Sequence, residues 1–237
     1  MNLQYTSPSP NYDGDIAYRK VEGANPSIFF LHGYASDMDG TKSAHLAQWA
    51  RERGQSMLRF DMRGNGLSKG NFDDFTLQDW LDDACHMFEH HTSGPQIIVG
   101  SSMGGWLAFH LAMRFPERVT AIIGIAAAPD FVHKIPINGT KTDTGYILDS
   151  GLTFTDRLIE EGKSLCILNS TIDIDCPVTL IQGKLDDSVP WETAEIIKSK
   201  LKDGPCEVIY VDEADHRFSR PQDLETLKEV INTFNFS

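Results

Sequence analysis

Residues 96–106 read Gln96-Ile97-Ile98-Val99-Gly100-Ser101-Ser102-Met103-Gly104-Gly105-Trp106. An apolar run typical of a buried strand leads into the pattern G-x-S-x-G, and a helix-like stretch follows as far as Arg114. Gly100 and Gly104 stand two positions either side of Ser102, where a strained strand-to-helix turn leaves no room for side chains. Alone, these five residues are equally compatible with an ordinary glycine-rich turn, but in this context they predict a nucleophile elbow with Ser102 as the nucleophile.

Two segments later in the chain supply the partners that such a serine needs. Residues 176–183 form an apolar strand pattern ended by glycine, and Asp186 follows it; residues 207–211 form another, and His216 follows that one. The carboxyl ends of parallel strands border the ligand crevice of an open α/β sheet. We therefore predict that Ser102 attacks, that His216 is its general base and then general acid, and that Asp186 orients the imidazole.

Neighbouring acids compete with Asp186 for the third role. Asp187 is adjacent in the same loop and is otherwise a solvated loop residue. Asp212 and Asp215 stand four positions and one position before His216, where they are badly placed to reach Nδ1 while Nε2 faces the serine. From these residues alone, the choice between Asp186 and Asp187 stays open.

An oxyanion hole requires a second backbone donor besides the amide that follows the nucleophile. Residues 26–31 predict an early buried strand, which runs into His32-Gly33-Tyr34. Gly33 allows the backbone to approach a substrate closely. We predict that the N–H groups of Tyr34 and Met103 hold the oxyanion, and that His32 is a structural loop histidine.

The size and charge of the chain limit its class. With 237 residues and 41% hydrophobic composition, residues 1–237 fit one globular domain. The net charge of −13 repels a phosphate backbone, so nucleic acid is not an expected partner. The first residues lack the pattern of a signal peptide, and no apolar run approaches the ~18 residues that a membrane span needs, so we expect a cytoplasmic protein without a transmembrane segment.

The sequence contains only weak indications of metal ligands or reactive cysteines. The four cysteines show no C-x-x-C spacing and are expected to be free thiols. His86 and His90 are four residues apart on a predicted helix, but no H-E-x-x-H glutamate lies between them. We expect these histidines to lie on a solvated or partly packed helix face, and we predict neither a functional metal nor a cofactor.

Alternating strand and helix patterns with short connections predict an α/β fold, with a mostly parallel central sheet and helices on both faces. The alternation stops at about residues 131–175, which predicts a small cap or lid inserted over the site, with a helix opening at Thr155. Several apolar residues of this insertion are candidates both for lining an acyl pocket and for anchoring it to the core: Phe131, Ile135, Ile137, Ile147, Leu148 and Phe154.

These motifs together resemble the α/β-hydrolase superfamily over nearly the whole chain. Residues 60–68 read Phe60-Asp61-Met62-Arg63-Gly64-Asn65-Gly66-Leu67-Ser68, which is similar to the structural D-x-R-G-x-G-x-S segment of that superfamily. More narrowly, the segments 33–42, 100–106, 186–191 and 215–217 resemble the mitochondrial palmitoyl-protein thioesterase family of animals, also described as mycophenolic acid acyl-glucuronide esterase, and its bacterial relatives.

The resemblance implies a serine esterase or thioesterase with Ser102, Asp186 and His216 in the three roles, and it favours Asp186 over Asp187. We therefore expect a carboxylic ester hydrolase (carboxylesterase) that forms an acyl-enzyme and acts on a small-molecule ester or thioester. An acyl-thioesterase is the first alternative, and a non-catalytic ligand-binding protein of the same fold is the second. We expect the chain to depart from the animal enzymes in having no transit segment and a shorter insertion.

Overall fold

The structure of this protein is a computed structural model that describes residues 2–8, 14–202 and 204–234. The described residues form short 3-10 helices at Phe72–Asp74, Phe131–His133 and Lys163–Leu165. The strands are β1 (Leu3–Thr6), β2 (Ile16–Val21), β3 (Ala24–Leu31), β4 (Gln55–Phe60), β5 (Gln96–Ser101), β6 (Val119–Ile125), β7 (Thr140–Lys141), β8 (Gly145–Ile147), β9 (Thr153–Thr155), β10 (Val178–Gly183) and β11 (Cys206–Val211). The α-helices are α1 (Thr41–Glu52), α2 (Leu77–His91), α3 (Met103–Arg114), α4 (Ile135–Asn138), α5 (Asp156–Gly162), α6 (Thr193–Lys200) and α7 (Pro221–Thr233).

The central sheet has eight strands in the order β1-β2-β4-β3-β5-β6-β10-β11. Among the described strands of this sheet, β4, β3, β5, β6, β10 and β11 pair in parallel with one another, whereas β2 pairs antiparallel with both β1 and β4. The predicted mostly parallel sheet is therefore confirmed. The prediction missed β1, which is short and partly exposed and therefore carries no apolar pattern.

Helices cover both faces of this sheet, as predicted. The side chains of β3 alternate, so that Ile28 and Phe30 pack in one apolar cluster with α1 and α7, while Phe29 and Leu31 pack in another with α2 and α3. Both faces of the parallel strands are buried, which explains the continuous apolar runs in the sequence.

Local backbone geometry decides where β6 ends and where α2 begins. Strand β6 ends at Ile125, because Ala126 has a left-handed backbone with φ of 47°. Helix α2 begins after its N-cap Thr76, whose amide donates to Asp79 Oδ2 at 2.9 Å.

The segment between β6 and β10 has its own small structure. Strands β7, β8 and β9 form a three-stranded antiparallel sheet. Helix α5 begins after Thr155, as predicted, and Thr155 Oγ1 accepts a hydrogen bond from the Leu158 amide at 3.1 Å. Among the helices in the described part of the chain, none has the length and apolar character needed to span a membrane.

Candidate active site

Ser102 lies between the end of β5 and the first residue of α3. Its backbone is strained, with φ of 54° and ψ of −117°, and its amide donates to the Ile125 carbonyl at 2.9 Å. A Cβ on Gly100 would collide with the Gly104 carbonyl, and one on Gly104 would collide with the Leu31 carbonyl. The turn therefore needs both glycines, and it leaves Ser102 partly exposed at the carboxyl edge of the sheet.

His216 and Asp186 meet at the same edge of the sheet. The imidazole Nδ1 lies 2.9 Å from Asp186 Oδ2 and 3.0 Å from Oδ1. The Asp186 side chain is fully buried, whereas the His216 side chain is 28% exposed. The imidazole thus has one nitrogen on a buried carboxylate, and part of the ring stays accessible from the site.

Three further donors surround the Asp186 carboxylate. The amides of Ser188 and Val189 donate to Oδ1 at 2.9 and 2.8 Å, and Gln182 Nε2 donates to Oδ2 at 3.0 Å. Burial by itself would raise the pKa of Asp186, but the hydrogen bond and charge of His216, together with the two amides, hold the pKa below its ordinary value. Asp186 is therefore held as a carboxylate.

The competing acids have other contacts. Asp187 is exposed, and its Oδ1 accepts from Ser188 Oγ at 3.1 Å. Asp212 pairs with Lys184 at 2.7 Å. Asp215 accepts from the amide of Phe218 at 3.1 Å. The structure thus brings Asp186 to the imidazole and places the other three acids in loop contacts.

The loop after β3 passes beside Ser102. A Cβ built on Gly33 would lie 3.3 Å from Ser102 Cβ and 3.9 Å from its Oγ. His32 Nε2 accepts from the Met62 amide at 3.2 Å, so the other ring nitrogen, Nδ1, carries the proton and donates to the Gly33 carbonyl at 2.8 Å. Burial lowers the pKa of His32, despite that carbonyl and nearby carboxylates. His32 therefore stabilises the Gly33–Tyr34 peptide, in keeping with its predicted structural place.

A cavity of about 750 Å³ opens over these elements. Its walls come from the loop after β3, the start of α1, the elbow and the loops after β10 and β11, with Ser150 and Leu152 from the β7–β9 segment. Ser102, Tyr34 and His216 all line it. The predicted nucleophile and base therefore share one cavity of a size suited to a small ligand.

Lys42 connects the two sides of the cavity. It lies at the start of α1, and its Nζ donates to the carbonyl of Arg217, next to His216, at 2.5 Å. Burial lowers the pKa of the Lys42 ammonium to about 8, against the opposing charges of Asp215 and Asp223. The helix dipole also disfavours a positive charge near the start of α1, and the Arg217 carbonyl accepts the hydrogen bond of this partly buried amine.

Sequence reasoning missed Gln182 and Lys42. The structure places the side-chain amide of Gln182 on Asp186 and, at 3.3 Å, on the Val189 carbonyl. A signal was present, because Gln182 is a polar residue at the end of an otherwise apolar strand. Lys42 had no such signal, since a lysine near a helix start is normally solvated.

The α2 histidines form no metal centre in this structure. The rings of His86 and His90 lie 4.7 Å apart, and burial lowers the pKa of His86. Across residues 2–8, 14–202 and 204–234, no group of three or more histidine, cysteine or acidic side chains is arranged to hold a metal ion.

The sheet topology, the elbow and the cavity define an α/β hydrolase, and comparisons with known proteins agree. The family model described as serine aminopeptidase, S33, matches residues 23–148. The chain is 33% identical over 231 residues to the mitochondrial palmitoyl-protein thioesterase ABHD10 of Bos taurus, with 92% of this chain and 76% of that protein covered. It has the same identity and coverage with the human protein of that name.

Solved structures show the same likeness. Alpha/beta hydrolase domain-containing protein 10 from mouse superposes with a TM-score of 0.89 and 30% identity, covering 99% of this chain and 100% of that one. A putative hydrolase from Agrobacterium vitis S4 has a TM-score of 0.87 and 30% identity, with 98% of each chain covered. The chain therefore belongs to the serine hydrolase family of the α/β-hydrolase superfamily that these proteins represent.

Proposed function

We propose that the protein is a carboxylic ester hydrolase that works through an acyl-enzyme on Ser102. In this proposal Ser102 Oγ attacks the ester carbonyl, while His216 Nε2 takes the hydroxyl proton. Asp186 keeps the Nδ1–H tautomer and stabilises the imidazolium. His216 then protonates the leaving alcohol, and afterwards it activates the water that releases the acid.

The backbone N–H groups of Tyr34 and Met103 are proposed to hold the oxyanion. Met103 is the first residue of α3, where unpaired amides and the helix dipole favour negative charge. Tyr34 follows Gly33, whose backbone lies against Ser102. Each such donor contributes about 3 kcal/mol to the transition state in known hydrolases, because it is directed at charge that develops only there.

One observation carries this proposal most directly. Nδ1 of the His216 imidazole lies 2.9 Å from the buried Asp186 carboxylate, and His216 lines the same cavity as Ser102, whose backbone is strained. A ligand-binding protein without chemistry has no need to place a histidine on a buried carboxylate beside an elbow serine whose strained backbone costs stability.

A thioesterase is the second candidate. The animal relatives are named palmitoyl-protein thioesterases, which is the observation that favours it. The same groups would serve, since a thiolate leaves more readily than an alkoxide and needs less proton transfer from His216. Matched oxygen esters and thioesters of one acyl group separate the two candidates through their kcat/KM ratio.

We also propose that the β7–β9 and α5 segment acts as the cap predicted at residues 131–175, within a single domain of residues 1–237. The hydroxyl of Tyr34 donates to the Thr153 carbonyl of this segment, which supports its position beside the cavity. A cytoplasmic location remains a prediction, and the animal relatives are named as mitochondrial.

Ser102→Ala is the experiment that tests the proposal. It should abolish hydrolysis of a chromogenic ester and labelling by a fluorophosphonate, because it removes the nucleophile. Ser101→Ala is the matched control, and it should keep activity within about tenfold since its hydroxyl has no part in the proton relay. Labelling that persists in Ser102→Ala would show that another residue is the nucleophile.

A further inference from the structure

Helix α1 begins in the wall of the catalytic cavity, which residues 40–43 help to line. Its N-cap is Gly40, which has no side chain to accept hydrogen bonds from the first turn. The Ala44 amide makes the first intrahelical bond, to the Gly40 carbonyl at 2.9 Å, so the amides of residues 41–43 have no acceptor within the helix. The first turn also contains no acidic residue, so no carboxylate of that turn offsets the positive end of the helix dipole.

Ser43 adds an unpartnered hydroxyl to this helix start. The residue is 1% exposed and lines the cavity, and its Oγ has no hydrogen-bond partner within the described part of the chain. A buried hydroxyl without a partner costs free energy, so such a group in a folded protein normally meets a protein atom, a water molecule or a ligand. Ser43 is therefore a second and independent indication that the start of α1 receives a ligand.

The groups at this position favour an anion as that ligand. Lys42 lies in the first turn of α1, where its ammonium adds positive charge to the positive end of the helix dipole. Its Nζ donates to the carbonyl of Arg217, whose residue also lines the cavity. Amides and ammonium groups can only donate hydrogen bonds, and the open amides of a helix N-terminus bind oxyanions.

Three aspartates of the cavity wall oppose a general attraction for anions. They are Asp37, Asp187 and Asp215, and each accepts a hydrogen bond from its own loop. The net charge of −13 on the whole chain acts in the same direction. Selection for an anion must therefore come from directed hydrogen bonds at the start of α1, and not from the overall field of the protein.

The position of α1 indicates which part of the substrate would carry the anion. In the proposed mechanism His216 protonates the leaving group, which departs beside the imidazole. Lys42 reaches the backbone of Arg217, the residue directly after His216. The start of α1 thus borders the His216 side of the cavity, which is the leaving-group side.

We propose that the first turn of α1 is an anion-binding subsite of the catalytic cavity, and that the leaving alcohol or thiol of the substrate carries a carboxylate or phosphate group that binds there. The open amides of residues 41–43 and the Ser43 hydroxyl donate to this group, and the Lys42 ammonium adds charge. The inference rests on the proposed function, since it concerns the group that His216 protonates, and it leaves the acyl group open.

Matched leaving groups test the substrate part of the proposal. Esters of p-hydroxybenzoate and p-hydroxybenzamide have the same shape and differ in charge, and p-hydroxyphenyl phosphate esters supply the phosphate arm. Each is made with acetyl, octanoyl and palmitoyl groups, alongside thioesters of p-mercaptobenzoate and p-mercaptobenzamide. After division by the rate of hydroxide hydrolysis, kcat/KM should be about tenfold higher or more for an anionic leaving group than for the amide, which is the effect of a hydrogen bond to a charged group. The larger of the two anionic ratios identifies carboxylate or phosphate as the natural group.

Ser43→Ala separates a hydroxyl that binds a ligand from one that supports the fold. It removes an unpartnered buried group, so the melting temperature without ligand should stay the same or rise. The ratio of anionic to amide kcat/KM should fall about fivefold or more. Ser199→Ala is the matched helical control, since its hydroxyl already donates to the Ile196 carbonyl in α6, and the ratio should not change. A lower melting temperature with an unchanged ratio would overturn the part assigned to Ser43.

Gly40→Asp places a carboxylate of the protein itself at the subsite. Gly40 has φ of −57° and ψ of 157°, which other residues adopt freely, and an added Cβ would lie 3.5 Å from the Asp37 carbonyl oxygen. Gly40→Asn is the uncharged control. Both variants should raise the melting temperature slightly by capping α1. The ratio of anionic to amide kcat/KM should fall about tenfold in Gly40→Asp and at most about threefold in Gly40→Asn.

The outcomes separate this inference from the proposed function. Failure to hydrolyse any of these esters and thioesters, with no fluorophosphonate labelling of Ser102, overturns the proposed function. The subsite is then still tested by the melting temperature in sodium acetate or phosphate, which should rise more in the wild type than in Gly40→Asp because only the wild type keeps the site open; an equal rise overturns it. Hydrolysis at equal rates for charged and uncharged leaving groups leaves the proposed function standing and overturns the subsite.

Discussion

Replacing Asp186 with asparagine tests the geometry of the site most sharply. His216 Nδ1 lies almost equally far from the two carboxylate oxygens, at 2.9 and 3.0 Å. The amides of Ser188 and Val189 donate to Oδ1 and keep the asparagine oxygen at that position, so the NH₂ group takes the place of Oδ2, 2.9 Å from Nδ1. An amide donor there favours the tautomer with its proton on Nε2, which can no longer accept the proton of Ser102.

The expected loss follows from that change of tautomer. In triads of this kind, the same substitution lowers kcat about ten-thousandfold with the geometry intact, so we expect a loss of three to four decades. This corresponds to about 4 to 5 kcal/mol of transition-state stabilisation. Fluorophosphonate labelling should slow in parallel, because it uses the same proton transfer.

Stability should change as well, and with a defined sign. The pKa of Asp186 is lowered in the folded state relative to its ordinary value of 3.8. Its contribution to stability is therefore present above pH 3.8 and is lost as the pH falls through the folded pKa. Asp186→Asn should lower the melting temperature at pH 7, and the gap to the wild type should narrow as the pH approaches 3.

Asp187→Asn is the matched control for this prediction. Asp187 is exposed and contacts Ser188 Oγ rather than the imidazole, so we expect kcat within about threefold of the wild type. Steady-state kinetics on one chromogenic ester, with thermal melts of each variant, provides the measurement. Equal losses in the two variants, or a larger loss in Asp187→Asn, would refute the reasoning from the geometry of Asp186.

Two further predictions concern groups that support the His216 and Asp186 loops. Gln182→Leu removes one hydrogen-bond donor from the buried Asp186 carboxylate. We expect kcat to fall about tenfold, which is the size of effect typical of losing a hydrogen bond to a charged group. An unchanged kcat and pH profile would contradict this prediction. Lys42 is charged below pH 8 and neutral above it, so its bond to the Arg217 carbonyl weakens as the pH rises. We expect kcat/KM to fall between pH 7 and 9, and Lys42→Met to be several-fold less active without a step in that window. Lys42→Arg should shift the fall to higher pH, and a step that persists in Lys42→Met would assign it to another group.

Local sequence signals were strongest where the backbone itself imposes the residue type. The elbow around Ser102 requires glycine at positions 100 and 104 because a Cβ there collides with a carbonyl. Continuous apolar runs in the sequence predict the parallel strands, because both faces of the sheet are buried. The helix at Thr155 begins as predicted, because an N-cap depends on the neighbouring turn alone.

Contacts between distant segments carried weaker signals or none. Strand β1 is held by pairing with β2 and not by an apolar pattern of its own, so it escaped prediction. The apolar residues of the 131–175 segment fitted an acyl pocket and an anchor equally well, because ring contacts such as Phe131 with Trp106 and Phe154 with Tyr34 join distant parts of the sequence. Tyr34 meets Thr153 across 119 positions of the chain, a pairing that no local pattern encodes.

The sequence by itself therefore determined the strand-and-helix alternation, the strained turn at Ser102 and the placing of Asp186 and His216 just beyond two strand ends. Only the tertiary structure decided which acid meets the imidazole, that Gln182 donates to that acid, and that Lys42 reaches the Arg217 carbonyl. The physical reason is one of range: propensity, capping and steric exclusion act within a few residues, whereas a hydrogen bond 2.9 Å long depends on how the sheet brings separate loops to one edge.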